Sequence, residues 1–226
     1  MQRSNGQAVK RKRGRPRTEE HQAEAMIAKI LKAARAEFVE RGLPGARVDE
    51  IARRAGVNKR LLYHYIGNKE AIYSRVMLEA YREIRAGEER LHLATLDPKV
   101  AMARLVGFTF DHFQANPWFI RLLATENMQR ARHIRKIRDL RQLHSPIIGQ
   151  IKDIVARGQK AGQFRKTIDP LELYLTIAGL SYFYFSNIHT LSTVFSSDLL
   201  TADRMAKRRK HAIAVVASYV EANRSL

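Results

Sequence analysis

The chain has 226 residues, and its 41 Lys and Arg outnumber its 22 Asp and Glu, so the formal net charge is +19. This excess predicts a polyanionic partner, either nucleic acid or less often an anionic membrane, and argues against an acidic soluble enzyme. Hydrophobic residues make up 45% of the chain, which is enough to bury a core and excludes a disordered basic protein. The chain has no cysteine, which excludes a disulfide scaffold, a Cys-ligated zinc finger and a thiol nucleophile.

The positive charge is concentrated towards the N-terminus. Residues 1–75 carry a net charge of +10, and residues 76–226 carry +9 over twice the length. This asymmetry predicts a small basic module followed by a larger, more apolar one. No apolar stretch approaches the roughly 20 residues of a membrane-spanning helix, and no apolar run follows the basic N-terminus as in a secretory signal. We therefore expect a soluble cytoplasmic protein without a membrane partner.

Residues 1–20 are predicted to form a disordered basic arm, because no large apolar residue follows Val9. Within this arm the run Arg13-Gly14-Arg15-Pro16 resembles the core of an AT-hook, although Lys12 stands where a second proline usually precedes that core. Arg13 and Arg15 would meet the negative potential of a narrow minor groove. A solvated tail that attracts phosphates only generally is the alternative.

Residues 21–68 are predicted to form three helices with a fourth helix following. Apolar residues recur at steps of three and four from residue 27 to residue 38, and Gly42 followed by Pro44-Gly45 ends that helix. A short helix is expected over residues 48–55, and Gly56 then breaks the chain. Asn58 can cap a third helix, and Asn68 can cap the fourth. Two short helices joined by a glycine-containing turn are the layout of a helix-turn-helix DNA-binding domain.

The third helix is predicted to present a cationic and aromatic face. If Leu62 and Ile66 face the core, Arg60 and His64 project from the opposite side, since successive residues are about 100° apart. Leu61 and Tyr63 lie on the flanks of that face. Arg60 could pair with guanine or clamp a phosphate, and Tyr63 and His64 could donate to phosphate oxygens. The alternative is an ordinary solvated helix face.

Residues 23–75 resemble the TetR family of bacterial transcriptional regulators. The resemblance rests on Asp49-Glu50-Ile51-Ala52, Ala55-Gly56-Val57-Asn58-Lys59, and the run from Leu62 to Ala71 that reads LYHYIGNKEA. It implies that operator DNA is contacted by Asn58, Lys59, Arg60, Tyr63, His64, Tyr65 and Lys69. We add Leu61 from the flank of the helix, and Arg47, which stands where the family often has a Thr or Ser cap. Lys69 would meet a phosphate at the start of the fourth helix.

Residues 69–226 read as a larger helical domain without an alternating strand pattern or an internal repeat. The predicted helices cover about 70–92, 98–115, 117–128, 134–161, 169–188 and 201–223. Asp97, Asn116 and Asp169 each precede a proline, so each is expected to cap a helix. The predicted fold is therefore all-α, with an N-terminal helix-turn-helix domain and a larger helical ligand-binding and dimerisation domain.

Aromatic residues of this larger domain have two possible roles, packing in a core or subunit contact, and lining of a ligand cavity. Tyr182 to Phe185 cover every face of their helix, so at least one of these four side chains must face something other than the core. The family resemblance implies a homodimer through the last two long helices, with the small residues Gly179 and Ser181 allowing close approach, and an inducer pocket among the middle helices. The candidate ligand-binding residues, chosen by position and type, are Phe108, Phe113, Trp118, Leu122, Met128, Tyr182 and Phe185.

A basic cluster between residues 130 and 141 is interpreted either as a solvated helix face or as a site for an anionic effector. We find no phosphate-binding Gly-rich loop, no Gly-x-Ser-x-Gly elbow and no His-Glu-x-x-His pair. The sequence therefore predicts no catalytic residues, no cofactor and no metal site. The leading hypothesis is a repressor that binds an inverted repeat in double-stranded operator DNA and is released by a small-molecule effector. The alternatives are an α-helical carrier or enzyme with an incidental basic face, and an architectural DNA binder led by the N-terminal arm.

Overall fold

Nine α-helices account for most of the chain in the computed structural model, which describes residues 17–138 and 140–222. Their bounds are α1 (Arg17–Gly45), α2 (Val48–Ala55), α3 (Lys59–Tyr65), α4 (Lys69–Glu89), α5 (Pro98–Ala115), α6 (Pro117–Met128), α7 (Leu140–Lys160), α8 (Pro170–Val194) and α9 (Ala202–Val220). No strand occurs in these ranges apart from an isolated bridge between Phe164 and Glu221. The all-α prediction is confirmed. Arg13 and Arg15 of the basic arm lie outside the described residues.

Four helices begin with a side-chain cap where the sequence predicts one. Asn58 Oδ1 and Asn68 Oδ1 each accept a hydrogen bond at 2.8 Å, from the backbone N–H of Leu61 and Ala71 respectively. Asp97 and Asp169 accept from two backbone N–H groups each at the starts of α5 and α8. Each cap satisfies donors that the first helical turn leaves without a partner. In α1 the helical backbone is interrupted at Gly42, whose φ is 63°.

Three features of the larger domain differ from the sequence predictions. Asn116 does not cap α6, because its Oδ1 accepts the indole N–H of Trp118 at 3.0 Å and its Nδ2 donates to the carbonyl of His112. Helix α7 begins at residue 140 rather than 134, and α8 extends to residue 194 rather than 188. The late start of α7 has a local cause. The buried carboxylate of Glu126 accepts the backbone N–H groups of His133 and Ile134, and residues 134–136, just before α7, form a 3₁₀ turn.

Two hydrophobic cores organise the molecule, and we call α1–α3 the head and α4–α9 the body. The head core includes Phe38, Ile51 and Leu62, and it continues into α4 and into Leu122 of α6. The body core surrounds α5, which packs against α7, α8 and α9. Because α4 and α6 contribute to the head core, a shift of either helix is transmitted to the head. Within the described ranges, no helix is both long enough and apolar enough to cross a bilayer.

Candidate nucleic-acid interface and ligand cavity

Helix α3 presents the predicted face to solvent. Gly56 takes a left-handed conformation (φ 66°) that turns the chain from α2 into α3. Leu62 is fully buried in the head core, whereas Arg60, Tyr63 and His64 are exposed. Arg60 has no hydrogen-bond or ion-pair partner in the described part of the chain. The short helix therefore packs against the head core through Leu62 and leaves the guanidinium, phenol and imidazole groups of the other three residues accessible on the protein surface.

The other candidate DNA-binding residues are placed less uniformly. Asn58, Lys59, Leu61 and Arg47 are exposed, and Tyr65 is half-buried with its ring 5.4 Å from that of His64. Lys59 Nζ is 2.9 Å from Asp49 Oδ1. This contact holds the pKa of Asp49 below its usual range, because the ammonium stabilises the carboxylate. Contact with DNA by Lys59 thus competes with an existing surface ion pair.

Lys69 lies at the start of α4 but its ammonium is turned towards the end of α1. Its Nζ donates to the carbonyl oxygens of Pro44 and Ala46 at 3.3 and 3.2 Å. These contacts give Lys69 a structural role in joining α4 to the loop between α1 and α2. The ammonium has three N–H donors, so one remains for a phosphate while both carbonyl contacts are kept.

A network of ion pairs fixes the angle between α1 and α2. Arg54 of α2 makes a bidentate contact with Glu40 at 2.8 and 3.1 Å, and its NH2 lies 3.3 Å from the fully buried Glu37. The same guanidinium donates from Nε to Glu50 at 3.0 Å. Hydrogen bonds from Arg53 and Arg54 lower the pKa of Glu50 to about 2. The carboxyl group therefore stays ionised, and the network persists, across the physiological pH range.

Glu37 also binds the backbone at the start of α2, although it does not replace the hydroxyl cap that α2 lacks. Arg47 occupies the N-cap position without a side-chain cap, but its backbone N–H donates to Glu37 Oε1 at 3.1 Å. The carboxylate comes from α1, ten residues earlier in the chain, so the start of α2 is tied directly to the first helix. The side chain of Arg47 is exposed and makes no hydrogen bond or ion pair to the described part of the chain.

A cavity of about 290 Å³ opens in the body between α4, α5, α6 and α8. Two of the seven candidate ligand-binding residues, Phe113 and Tyr182, line this cavity. The other lining residues are Tyr81, Ile84, Arg85, Glu88, Thr109, Phe119, Leu123, Asn127, Tyr174, Leu175, Ala178 and Gly179. Its walls are thus mainly aromatic and aliphatic, with a small polar group contributed by α4.

The remaining five candidates lie elsewhere. Leu122 belongs to the head core, and Trp118 lies under the guanidinium of Arg35, 4.3 Å from its ring centroid. Phe108 packs against Gly87 and Phe185 packs against Phe110, while Met128 is 84% exposed at the end of α6. The structure therefore does not bring these five side chains together around the cavity.

Sequence reasoning missed three ionisable residues of this region, Arg85, Glu88 and His112, all of which are buried. Burial raises the pKa of Glu88 to about 7, and burial together with the nearby Arg85 charge lowers the pKa of His112 to about 4. One signal was available, because Glu88 continues the stripe that Met77, Ala80 and Ile84 form at three- and four-residue steps. A carboxylate in an apolar stripe predicts a buried polar group.

The basic cluster at residues 130–138 does not line the cavity. Arg130, Arg132, Arg135, Lys136 and Arg138 are exposed, and the side chain of Arg141 lies outside the described residues. Nor do three His, Asp or Glu side chains converge as metal ligands would anywhere in residues 17–138 and 140–222.

One face of α8 carries an apolar stripe that the chain leaves largely exposed, and two of its residues, Leu175 and Gly179, also line the cavity. Leu171 and Leu175 are each 52% exposed and Phe183 is 57% exposed, and Gly179 falls between them at the same four-residue spacing. A side-chain atom added at Gly179 would meet no other atom within 4 Å. Ser181, in contrast, is fully buried on the inner face, so only Gly179 can allow close approach from outside.

Comparison with known proteins agrees with these features. Residues 30–76 match a family model described as bacterial regulatory proteins of the tetR family, and residues 98–216 match one described as a tetracyclin repressor-like C-terminal domain. The HTH-type transcriptional repressor NicS of Pseudomonas putida is 39% identical over 186 residues, covering 82% of this chain and 87% of its own. The HTH-type transcriptional repressor SCO4008 of Streptomyces coelicolor is 34% identical over 106 residues, 47% of this chain and 52% of its own.

Solved structures show the same fold at lower identity. SCO4942 of Streptomyces coelicolor superimposes with a TM-score of 0.66 at 24% identity, over 86% of this chain and 98% of its own. KstR2 of Mycobacterium tuberculosis gives a TM-score of 0.61 at 19% identity, over 86% of this chain and 94% of its own. The exposed face of α3 is consistent with these similarities. The two family matches and the similarity to NicS along most of both chains show that this protein belongs to the TetR family of bacterial transcriptional regulators.

Proposed function

We propose that this protein is a homodimeric transcriptional repressor that binds an inverted repeat in operator DNA and leaves it when a small molecule enters the body cavity. The observation that carries this proposal is the outward face of α3, on which Arg60, Tyr63 and His64 are exposed and Arg60 has no partner in the described chain. Unpaired cations on a short helix that enters a major groove are what DNA recognition requires.

Each side chain of that face has a chemistry suited to DNA. Arg60 can donate two hydrogen bonds to the O6 and N7 atoms of guanine, or it can neutralise a phosphate. Tyr63 and His64 can donate to phosphate oxygens and fix the register of the helix in the groove. Arg47, exposed at the start of α2, adds a second cation on the same side of the head.

Two copies of the head are needed to read an inverted repeat. The exposed stripe of Leu171, Leu175, Gly179 and Phe183 on α8 supports dimerisation, because an isolated chain would leave these apolar side chains in water. In a symmetric dimer built on α8 and α9, the two α3 helices must lie about 34–36 Å apart, or a multiple of that distance, to enter successive major grooves.

The connection between cavity and head supports release by a ligand. Helix α4 runs from the head to the cavity, and α6 contributes Phe119 and Leu123 to the cavity and Leu122 to the head core. Arg35 of the head also pairs with Glu83 of α4 and lies over Trp118 of α6. A ligand that favours one position of α4 and α6 therefore shifts the spacing of the heads, and it weakens DNA binding by its differential affinity for the two states.

Footprinting of the purified protein on DNA upstream of its own gene tests this proposal. We expect protection of two half-sites related by a two-fold axis, with an affinity that falls steeply as salt is raised. Inserting about five base pairs between the half-sites rotates one by about half a helical turn and should abolish high-affinity binding. Equal binding to any DNA, insensitive to the insertion, would contradict the proposal and favour a carrier with an incidental basic face.

Deletion of residues 1–20 separates the repressor from an architectural DNA binder. In the proposed mechanism the arm adds only general attraction to phosphates, so the deletion should weaken binding without changing the protected half-sites. Complete loss of specific protection in the deleted protein would instead assign recognition to the arm.

A further inference from the structure

Arg85 is the most unusual side chain of the cavity. It is 5% exposed, and its Nε and Nη1 atoms have no hydrogen-bond acceptor. Nη1 lies 2.9 Å from Glu88 Oε2, but its N–H bonds are not aligned with that oxygen. A buried guanidinium normally satisfies its donors, because each unmet donor costs free energy that water would otherwise repay. Arg85 lines the cavity, so a ligand bound there would bring an acceptor to the guanidinium that the chain does not supply.

The groups around Arg85 restrict the acceptor further. Glu88 is beside it on α4, and its desolvated carboxyl group neutralises the guanidinium only in part. His112 of α5 is uncharged at neutral pH because burial lowers its pKa to about 4, and its Nε2 also has no partner. His112 is not among the residues that line the cavity, whose charged lining residues are Arg85 and Glu88. Because Glu88 offsets part of the guanidinium charge, the site suits a single negative charge rather than a cation or a multiply charged phosphate.

The rest of the cavity is suited to a ring. Phe113, Phe119, Tyr174 and Tyr182 form its aromatic walls, with the Arg85 guanidinium 5.9 Å from the centroid of the Tyr174 ring. A cavity of about 150 Å³ is enough to hold benzene, so about 290 Å³ accommodates one or two fused rings with a substituent. Aromatic walls favour stacked or edge-to-face contacts with such a ligand.

We propose that the effector of this protein is a small ring-bearing monocarboxylate, whose carboxylate accepts hydrogen bonds from Arg85 while its ring lies among Phe113, Phe119, Tyr174 and Tyr182. This inference rests on the proposed function for its biological consequence, but ligand binding itself can be measured without DNA. Arg85 is then a binding residue that selects the charge of the effector, and the aromatic walls select its shape and size.

Calorimetric titration of the full-length protein without DNA tests the ligand class. The probes are benzoate, 4-hydroxybenzoate and 2-naphthoate, each compared with its own carboxamide, which keeps the ring and removes the charge. We expect at least one carboxylate to bind at least tenfold more tightly than its amide, because charge-assisted hydrogen bonds are about twice as strong as neutral ones. Equal affinity within all three pairs, or no binding of any carboxylate, overturns the proposal.

Variants of α4 locate the binding to Arg85. Arg85→Met should lower the affinity for the preferred carboxylate by about 10- to 100-fold and leave the affinity for its amide almost unchanged. Arg82→Met is the matched control, because Arg82 is on the same helix and exposed, and it should bind like the wild type. Circular dichroism and retained operator binding verify that Arg85→Met is folded, and Arg85→Lys provides a second variant that keeps the charge but loses the planar fork. Unchanged carboxylate affinity in folded Arg85→Met would exclude Arg85 as the recognition group.

Operator binding in the presence of the same compounds distinguishes this inference from the proposed function. If a carboxylate binds through Arg85 but leaves the protein on its operator, the ligand class stands and the release mechanism is wrong. If instead a neutral or cationic molecule releases the operator equally well from wild type and Arg85→Met, the release mechanism stands and the carboxylate proposal is wrong.

Discussion

The head and the body place their charged residues in opposite ways. In the head, Arg60 is exposed without a partner in the described chain, whereas Arg54 contacts three carboxylates, those of Glu37, Glu40 and Glu50. In the body, Arg85 and Glu88 are buried with incomplete pairing. An exposed cation costs little and is available to a polyanion, whereas a buried, poorly paired one costs stability and is typical of a ligand site.

The largest expected effect is on the ion network of the head. Arg54→Met removes the contacts to Glu37, Glu40 and Glu50 at once and leaves the fully buried Glu37 with Arg41 and the Arg47 backbone N–H, so we expect a clear loss of unfolding free energy. Arg53→Met is the matched control, because Arg53 is 72% exposed and pairs only with Glu50. Urea unfolding followed by circular dichroism compares the two variants. Equal midpoints would show that Arg54 is no more important to the head than a surface arginine.

The apolar stripe of α8 should give the next largest effect. Phe183→Glu places a charge on the proposed dimer surface, so the protein should become monomeric and lose about 100-fold or more in operator affinity. Sedimentation velocity measures the first change and a gel-shift titration the second. Val100→Glu introduces the same charge at a position that is 49% exposed on α5 and should remain dimeric. If the Phe183→Glu protein remained dimeric, the dimer interface would have to lie elsewhere than on this stripe.

The smallest of the three effects concerns the pH dependence of the body. The folded protein raises the pKa of Glu88 from 4.5 to about 7, so between these values the native state holds more protons than the unfolded state. Stability contributed by the neutral carboxyl group is therefore lost as pH rises through this window. Relative to wild type, Glu88→Gln should therefore gain about 1–3 kcal/mol of stability between pH 5 and pH 8, because only the wild type has a carboxyl group to ionise there.

Chemical unfolding at the two pH values measures this difference. The exposed neighbour Glu89→Gln is the control and should change stability little at either pH. A Glu88→Gln protein that is equally destabilised at pH 5 and pH 8 would indicate that Glu88 is a fully satisfied ion-pair partner of Arg85.

The head could be predicted in detail because its signals are local. Gly42, Gly56, Asn58 and Asn68 each act within a few residues, through backbone conformation or a side-chain cap. The period of α3 then decides which side chains face outwards once Leu62 is placed in the core. What the sequence did not predict was the use of Lys69 and Lys59, since their partners Pro44 and Asp49 lie elsewhere in the chain.

The cavity could not be predicted, because its walls come from four helices whose relative rotation depends on packing across the whole body. Position and residue type selected Phe113 and Tyr182, which line the cavity, together with Trp118 and Leu122, which pack against the head core. The start of α7 has a different, local cause: the carboxylate of Glu126 accepts the backbone N–H groups of residues 133 and 134, seven and eight positions along the chain. Polar residues buried in apolar stripes are the better local signal of such a site.

The most direct test of the central claim is a gel-shift titration of Arg60→Ala on the protein's own upstream DNA, at fixed salt and beside Arg82→Ala. The account predicts about 10- to 100-fold weaker specific binding for Arg60→Ala, since a bidentate contact to a base is worth about 1–3 kcal/mol. It predicts little change for Arg82→Ala, whose side chain is exposed on α4. Wild-type affinity and specificity in Arg60→Ala would contradict the assignment of α3 as the recognition helix.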